Sequence, residues 1–414
     1  MILAMVLAIA LSSIGASAAQ TAPVKNVIVL VGDGMGVAHT TLTRWYKGSP
    51  LAMDEMVSGA IKTYCANSMI TDSAPAVTAF ATGYKSDSKF VSVLPSVIDV
   101  PATVEVQEAD KFRPVVSVLE AARLIGKSTG IIATSNIQHA TPAGYSSHTP
   151  NRSDYNDIAE QQVYQNIDVV LGGGKQYLLP AADGGVRGDG ENLVNTLKAM
   201  GYDFVENTAQ MQQSTSKKIW GLFAADAMAY DFDRDPAKEP SLAEMTTKAI
   251  NTLSKNPNGF FLFVEGSKID WAAHANDPIG VISDTLAFDA SVKVALDYAK
   301  THPGTLVLAF TDHGNGGAST GSFRAGSGGV GGNASATATT STGDATGTGS
   351  ASATAIAGSG GVGGTASIGP GLNGNSGAGG NAASNALVIS VPNASVSRSR
   401  QMASNSTATS SSLN

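Results

Sequence analysis

Five apolar runs in this chain end in a glycine cluster or lead to a carboxylate or histidine, and that recurrence constrains the fold more than any other feature. Lys25 to Asp33 reads Lys-Asn-Val-Ile-Val-Leu-Val-Gly-Asp and turns through Gly34-Met35-Gly36. Thr129–Thr134 leads to His139-Ala140-Thr141-Pro142, Asp168–Leu171 to three glycines, Phe260–Val264 to Glu265, and Thr305–Thr311 to Asp312-His313-Gly314. Continuous apolar runs of this length suit strands buried on both faces, as in a parallel sheet. Helical patterns lie between them, at Val115–Leu124, Leu193–Met200, Leu242–Ser254 and Val281–Ala299. Alternation of this kind predicts an α/β protein, layered as an α/β/α sandwich around a largely parallel sheet. In such sheets ligands gather outside the carboxyl ends of the strands, where these polar residues fall.

The 414 residues carry a net charge of -7, and no basic cluster is present, which argues against a nucleic-acid partner. Residues 1–18 read as an export signal: an apolar run from Ile2 to Leu11, then small residues, too short to span a bilayer. The expected location is therefore periplasmic or extracellular, with no transmembrane segment after signal removal. Cys65 is the single cysteine, so no internal disulfide can form. Stability must then come from the core and from any bound metal.

Ile70 to Lys85 contains Thr71-Asp72-Ser73-Ala74-Pro75 and stops at Gly83. Pro75 suits a first helical turn, and Gly83 a helix end. Ser73 would sit at a helix N-terminus, where backbone N–H groups and the dipole favour negative charge. A serine that must lose a proton and carry a phosphate belongs in such a place. The plainer reading of the stretch is a helix cap alone.

Asp270 and His274 are four apart, on one helical face, five residues after Glu265. Mixed oxygen and imidazole sets suit Zn²⁺, and carboxylate–hydroxyl sets suit Mg²⁺. Taken singly, Asp33 could cap a turn, Asp270 a helix, and His313 could be a satisfied core histidine. Together at successive strand ends they are harder to explain structurally, because unpaired buried charges are costly.

The motifs Asp33-Gly34-Met35-Gly36, Thr71-Asp72-Ser73-Ala74, His139-Ala140-Thr141-Pro142-Ala143, Glu265-Gly266-Ser267-Lys268-Ile269-Asp270 with His274, and Thr311-Asp312-His313-Gly314 occur in the order found in alkaline phosphatases. The chain resembles that family from about residue 24 to 317. The resemblance implies a phosphoserine nucleophile at Ser73. It implies one zinc held by Asp33, Asp312 and His313, a second by Asp270 and His274, and a magnesium by Asp33, Thr141 and Glu265. It also implies a phosphate-clamping Arg152, small phosphate monoesters as substrates, and a homodimer as the common assembly. Some relatives carry Asp at the position of His139 and Lys at that of Trp271. These two residues are therefore expected either to bind the third metal or to stand behind its ligands.

After Gly317 the composition changes to Gly, Ala, Ser, Thr and Asn, and Gly-Ser-Gly-Gly-Val-Gly-Gly occurs twice. Residues 318–414 read as a flexible low-complexity tail, with 19–317 as the catalytic domain and Ala386–Val391 the tail's one expected strand. The family's last segment, with a further zinc histidine, is expected to be missing or replaced. The second zinc would then be weakened and phosphoserine hydrolysis slowed. Two other readings stay open: a phosphodiesterase or sulfatase-like hydrolase, and a non-catalytic exported metal- or phosphate-binding protein.

Overall fold

The computed structural model describes residues 23–56, 59–100 and 106–315, and beyond these the backbone of six short strands between 322 and 390. Seven strands form one sheet: β1 (Asn26–Gly32), β2 (Ser128–Asn136), β3 (Val169–Gly173), β4 (Asp203–Val205), β5 (Ile219–Leu222), β6 (Phe260–Gly266) and β7 (Thr305–Phe310). Their order is β4-β5-β3-β2-β6-β1-β7. Every pairing is parallel. Parallel strands share one carboxyl edge, so the residues that follow them collect on one rim. The four strands followed by candidate ligands, β2, β6, β1 and β7, are neighbours in the sheet.

Alternate strand residues feed two cores. On one face Ile28, Leu30, Ile132, Leu262 and Val264 pack with α8 (Leu242–Leu253) and α10 (Pro278–Thr301) through Met245, Ile250, Phe288 and Val292. On the other, Val29, Val31, Ile131, Phe261 and Phe263 meet α2 (Ser73–Thr82), α3 (Val118–Leu124), α4 (Ala140–Ser146), α5 (Tyr155–Tyr164) and α6 (Leu193–Ala199). The result is the expected three-layer α/β/α sandwich. Both faces of β6 are covered, and all seven of its residues are buried. This explains why it reads as an unbroken apolar run rather than an alternating one.

The helices begin where the sequence supplies caps. Asp72 accepts the Ala74 N–H to start α2, and Gly83 ends it with φ 81°. Ser117 and Glu120 form a capping box, which moves the start of α3 to Val118 from the expected Val115. Ser241 and Glu244 do the same for α8. Asp277 caps α10 ahead of Pro278. The remaining helices are α1 (Val37–Lys47), α7 (Thr208–Gln213) and α9 (Lys268–His274).

No helix among the described residues is long and apolar enough to cross a membrane. The expected signal at 1–18 lies outside the described residues, as does most of the expected flexible tail. Within that tail a strand runs over Ala382–Ser390, parallel to Ala334–Thr342. It overlaps the expected strand and starts four residues earlier. The other five tail strands, Ala334–Thr342 among them, were not anticipated.

Candidate active site

Asp33 follows β1 directly. The chain turns there through Gly34 at φ 62°, a conformation that favours glycine. A β-carbon on Gly34 would come within 2.6 Å of Asp270 Oδ1, so the turn also sets how closely α9 approaches β1. Asp33 N donates to Gly266 O (3.3 Å), and Gly34 N donates to Asp312 Oδ1 (3.1 Å). Three strand ends are thereby tied together, one pair through the backbone and the other through the Asp312 carboxylate.

Ser73 opens α2 and is buried. Its Oγ lies 3.2 Å from His313 Nε2 and 3.4 Å from Asp33 Oδ1. His313 Nε2 is itself 3.4 Å from Asp33 Oδ1 and 3.6 Å from Asp312 Oδ2. Ligand atoms of Asp33, Asp312 and His313 all fall within 4.8 Å of one another. A second set within the same limit comprises Asp33, His139 and Glu265. Thr141 Oγ1 stands 3.5 Å from Asp33 Oδ2, so the two oxygens of Asp33 face different groups.

Asp270 is buried on α9 and largely exposed His274 stands one turn later, with Nε2 3.5 Å from Asp270 Oδ1. Among the described residues neither belongs to a set of three or more such ligand atoms. Asn315 donates to Asp270 Oδ1 (2.9 Å) and to Asp270 O (3.1 Å). The sequence reading missed this residue, although it lies two positions after His313. Arg152 Nη1 reaches Asp72 Oδ1 (3.2 Å) and Nη2 reaches His139 Nε2 (3.3 Å). Trp271 meets His139 edge-on with ring centroids 5.5 Å apart and lies under the Lys268 ammonium.

The electrostatics are those of buried acids crowded together. Burial, followed by repulsion from Asp312, Asp270 and Glu265, pushes Asp33 well above the usual carboxylate range. Burial raises Glu265 to about 8, with Asp312 adding to the rise. Burial also raises Asp270, with His313 and His274 opposing. Burial lowers His139 to about 3, helped by Arg152 and Lys268, which leaves a neutral imidazole suited to metal binding.

Both oxygens of Glu265, Asp312 Oδ2 and His139 Nδ1 are buried with no hydrogen-bond partner. Such atoms are costly unless something outside the chain satisfies them. Two converging sets of carboxylate and imidazole donors fit divalent cations in that role.

A sequence profile of the alkaline phosphatase family matches residues 24–358. The chain belongs to the alkaline phosphatase family. The match runs past Gly317, where the resemblance was expected to stop. Alkaline phosphatase 3 of Bacillus subtilis (strain 168) is 39% identical over 315 residues, which are 72% of this chain and 63% of that protein. The chain thus spans less than two thirds of that relative's length. Alkaline phosphatase from Thermus thermophilus superposes with a TM-score of 0.65 at 30% identity, over 73% of this chain and 62% of the other. A His-to-Glu variant of the alkaline phosphatase of the Antarctic bacterium TAB5, with Mg bound in its M3 site, gives a TM-score of 0.61 at 30% identity, over 72% and 80% of the two chains.

Proposed function

We propose that this member of the alkaline phosphatase family hydrolyses small phosphate monoesters through a phosphoserine at residue 73. The observation that carries the reading is the place of Ser73 Oγ, 3.2 Å from His313 and 3.4 Å from Asp33, at the N-terminus of α2. Zinc beside Asp33, Asp312 and His313 and beside Asp270 and His274, with magnesium beside Asp33, Thr141 and Glu265, would supply the Lewis acidity that lowers the serine's pKa and offsets phosphate charge.

Ser73 Oγ bonds to phosphorus as the ester oxygen departs. Water then displaces phosphate from Ser73 and regenerates the hydroxyl. The amide N–H groups and dipole of α2 favour the negative charge that accumulates there. Arg152 turns its fork onto two phosphate oxygens, a geometry that guanidinium meets and ammonium does not. Asp72, which receives Arg152 Nη1 and Ala74 N, holds the clamp against the nucleophile's helix. His139 and Trp271 stand behind the Asp33–Glu265 set, with His139 close enough to be a ligand itself.

Hydrolysis of p-nitrophenyl phosphate, its bis-ester and the corresponding sulfate tests the assignment. The monoester should be turned over fastest, and Ser73→Ala should lose at least a thousandfold of that activity. A Ser73→Ala protein with undiminished turnover would overturn the phosphoserine route. Counting bound zinc and magnesium per chain tests the metal sets.

The Asp270–His274 pair supports a second element of the reading. Among the described residues neither Asp270 nor His274 joins a set of three ligand atoms, and a catalytic zinc ordinarily keeps three protein ligands. Dephosphorylation is then the slow step. A burst of p-nitrophenol followed by slow turnover, quickened by excess zinc, is the expected course. Full turnover without excess zinc would refute it, and no product at all would favour a non-catalytic binding protein. We further place the protein outside the cytoplasm and take a homodimer as its working assembly. Fractionation and sedimentation test those two points.

A further inference from the structure

His148 lies four residues before Arg152, in the segment between α4 and α5, and no step of the reaction above uses it. Its ring is mostly buried and meets an acceptor at each nitrogen. Nδ1 is 2.8 Å from the carbonyl oxygen of Ser92, and Nε2 is 3.0 Å from Glu120 Oε1. Glu120 also receives Gln165 Nε2 at Oε1 (2.7 Å) and Ser117 N at Oε2 (2.7 Å), as an ionised carboxylate does. A carbonyl and a carboxylate can only accept, so both ring nitrogens must donate and the ring is an imidazolium. Burial alone would push His148 down, but its bonds to Glu120 and Ser92 outweigh that and hold it above its usual range. The charged group acting on the ring is Glu120, from α3; α5 contributes neutral Gln161, the residue that ends it contributes neutral Gln165, and the facing loop contributes Ser92.

The backbone around His148 is fastened as firmly. His148 N donates to Gln161 Oε1 (2.8 Å), and Gln161 Nε2 donates back to His148 O (3.1 Å). Thr149 and Val91 exchange N–H···O bonds of 3.0 and 2.8 Å, and Arg152 N donates to Lys89 O (2.9 Å). On the same loop Ser88 Oγ and Lys89 N bind Asp72 Oδ2 (2.7 and 2.9 Å). Lys89 and Ser92 hold positive φ, at 71° and 44°, so the loop keeps a conformation it would leave if released.

We propose that His148 is a positioning residue for Arg152: its ring, donating from both nitrogens, locks the 148–152 segment to α3 and to the 88–92 loop, and so fixes the guanidinium and its partner Asp72 for phosphate. This rests on the reading of Arg152 as the phosphate clamp.

The test is a double-mutant cycle on the metal-loaded protein, reading the dissociation constant of inorganic phosphate by calorimetry. Arg152→Ala should weaken phosphate by roughly 10–100-fold, as loss of a charge-assisted pair does. His148→Ala should weaken it about tenfold alone and less than twofold when Arg152 is already alanine, because coupled residues are non-additive. Equal weakening in both backgrounds, or none in either, overturns the proposal. If Arg152→Ala leaves phosphate binding unchanged, the clamp reading fails first and this inference with it. Should His148→Ala not fold, His148→Gln and Glu120→Gln enter the same cycle with the same expectation. Independently, ¹⁵N-histidine spectra near pH 7 should show two ring N–H signals from one residue, both lost in His148→Gln. A single ring N–H from that residue would overturn the proposal.

Discussion

Gly34 carries two constraints in one residue, a left-handed backbone and a 2.6 Å limit against Asp270 Oδ1. Gly34→Ala must strain the turn, by about 1–3 kcal/mol, and must push Asp270 away from β1. The expected outcome is a fall in melting temperature together with at least tenfold lower turnover that excess zinc partly restores. Loss of stability with unchanged turnover would show that Asp270 is not held by this contact. The candidate residues at the strand ends were legible in the sequence because each stands in or just after the last residues of an otherwise apolar run. Asn315 was not, because its bond to Asp270 joins positions 45 residues apart, and only the fold brings them together. The family resemblance had already given Asp33 two sets of partners, and the fold adds which oxygen faces which: Oδ1 toward Ser73 and His313, Oδ2 toward Thr141.

Helix α2 shows how an element is delimited by its ends. Asp72 starts it and Gly83, at φ 81° with open space around it, stops it. Gly83→Ala should cost about 1 kcal/mol through backbone strain alone and leave turnover untouched, a split that thermal melts and steady-state rates can read. In α10, Asp284 is buried against Ser283 Oγ and Asp231 N, and burial raises it to about 7 from 3.8. A carboxyl that keeps its proton longer when folded contributes stability at low pH and loses it as pH climbs from 3.8 through about 7. At about 1.4 kcal/mol per pH unit the ceiling is ~4 kcal/mol. Asp284→Asn keeps an acceptor for both donors, so its melting-temperature advantage should grow between pH 5 and pH 8. An advantage constant with pH would mean that the charge is not the cause. Long apolar strands and capped amphipathic helices were readable in this chain. The three-residue β4 and four-residue β5 were not, being too short to show a period. Helix α1 escaped notice because Trp45 and Tyr46 face solvent, which blurs its apolar stripe.

At the scale of the whole molecule, the sheet gathers four carboxylates, Asp33, Glu265, Asp270 and Asp312, onto one buried rim. The layers were foreseeable from alternating periods, and the crowding from parallel strands, but not which acids would share neighbours. Chelation should therefore destabilise the protein well beyond the loss of activity. Metal at a hundred times its dissociation constant contributes about 2.7 kcal/mol, so the melting temperature should drop by several degrees with chelator and recover on adding zinc and magnesium. An unchanged melt would mean that the acids are satisfied within the chain. Asp33 turns one oxygen toward Ser73 and His313 and the other toward Thr141. On the metal sets proposed above, a carboxylate divided in this way would not serve its two sides independently: the first ion bound would orient the group for the next. Titration of the stripped protein should then rise sigmoidally, and half-loaded chains should be scarce.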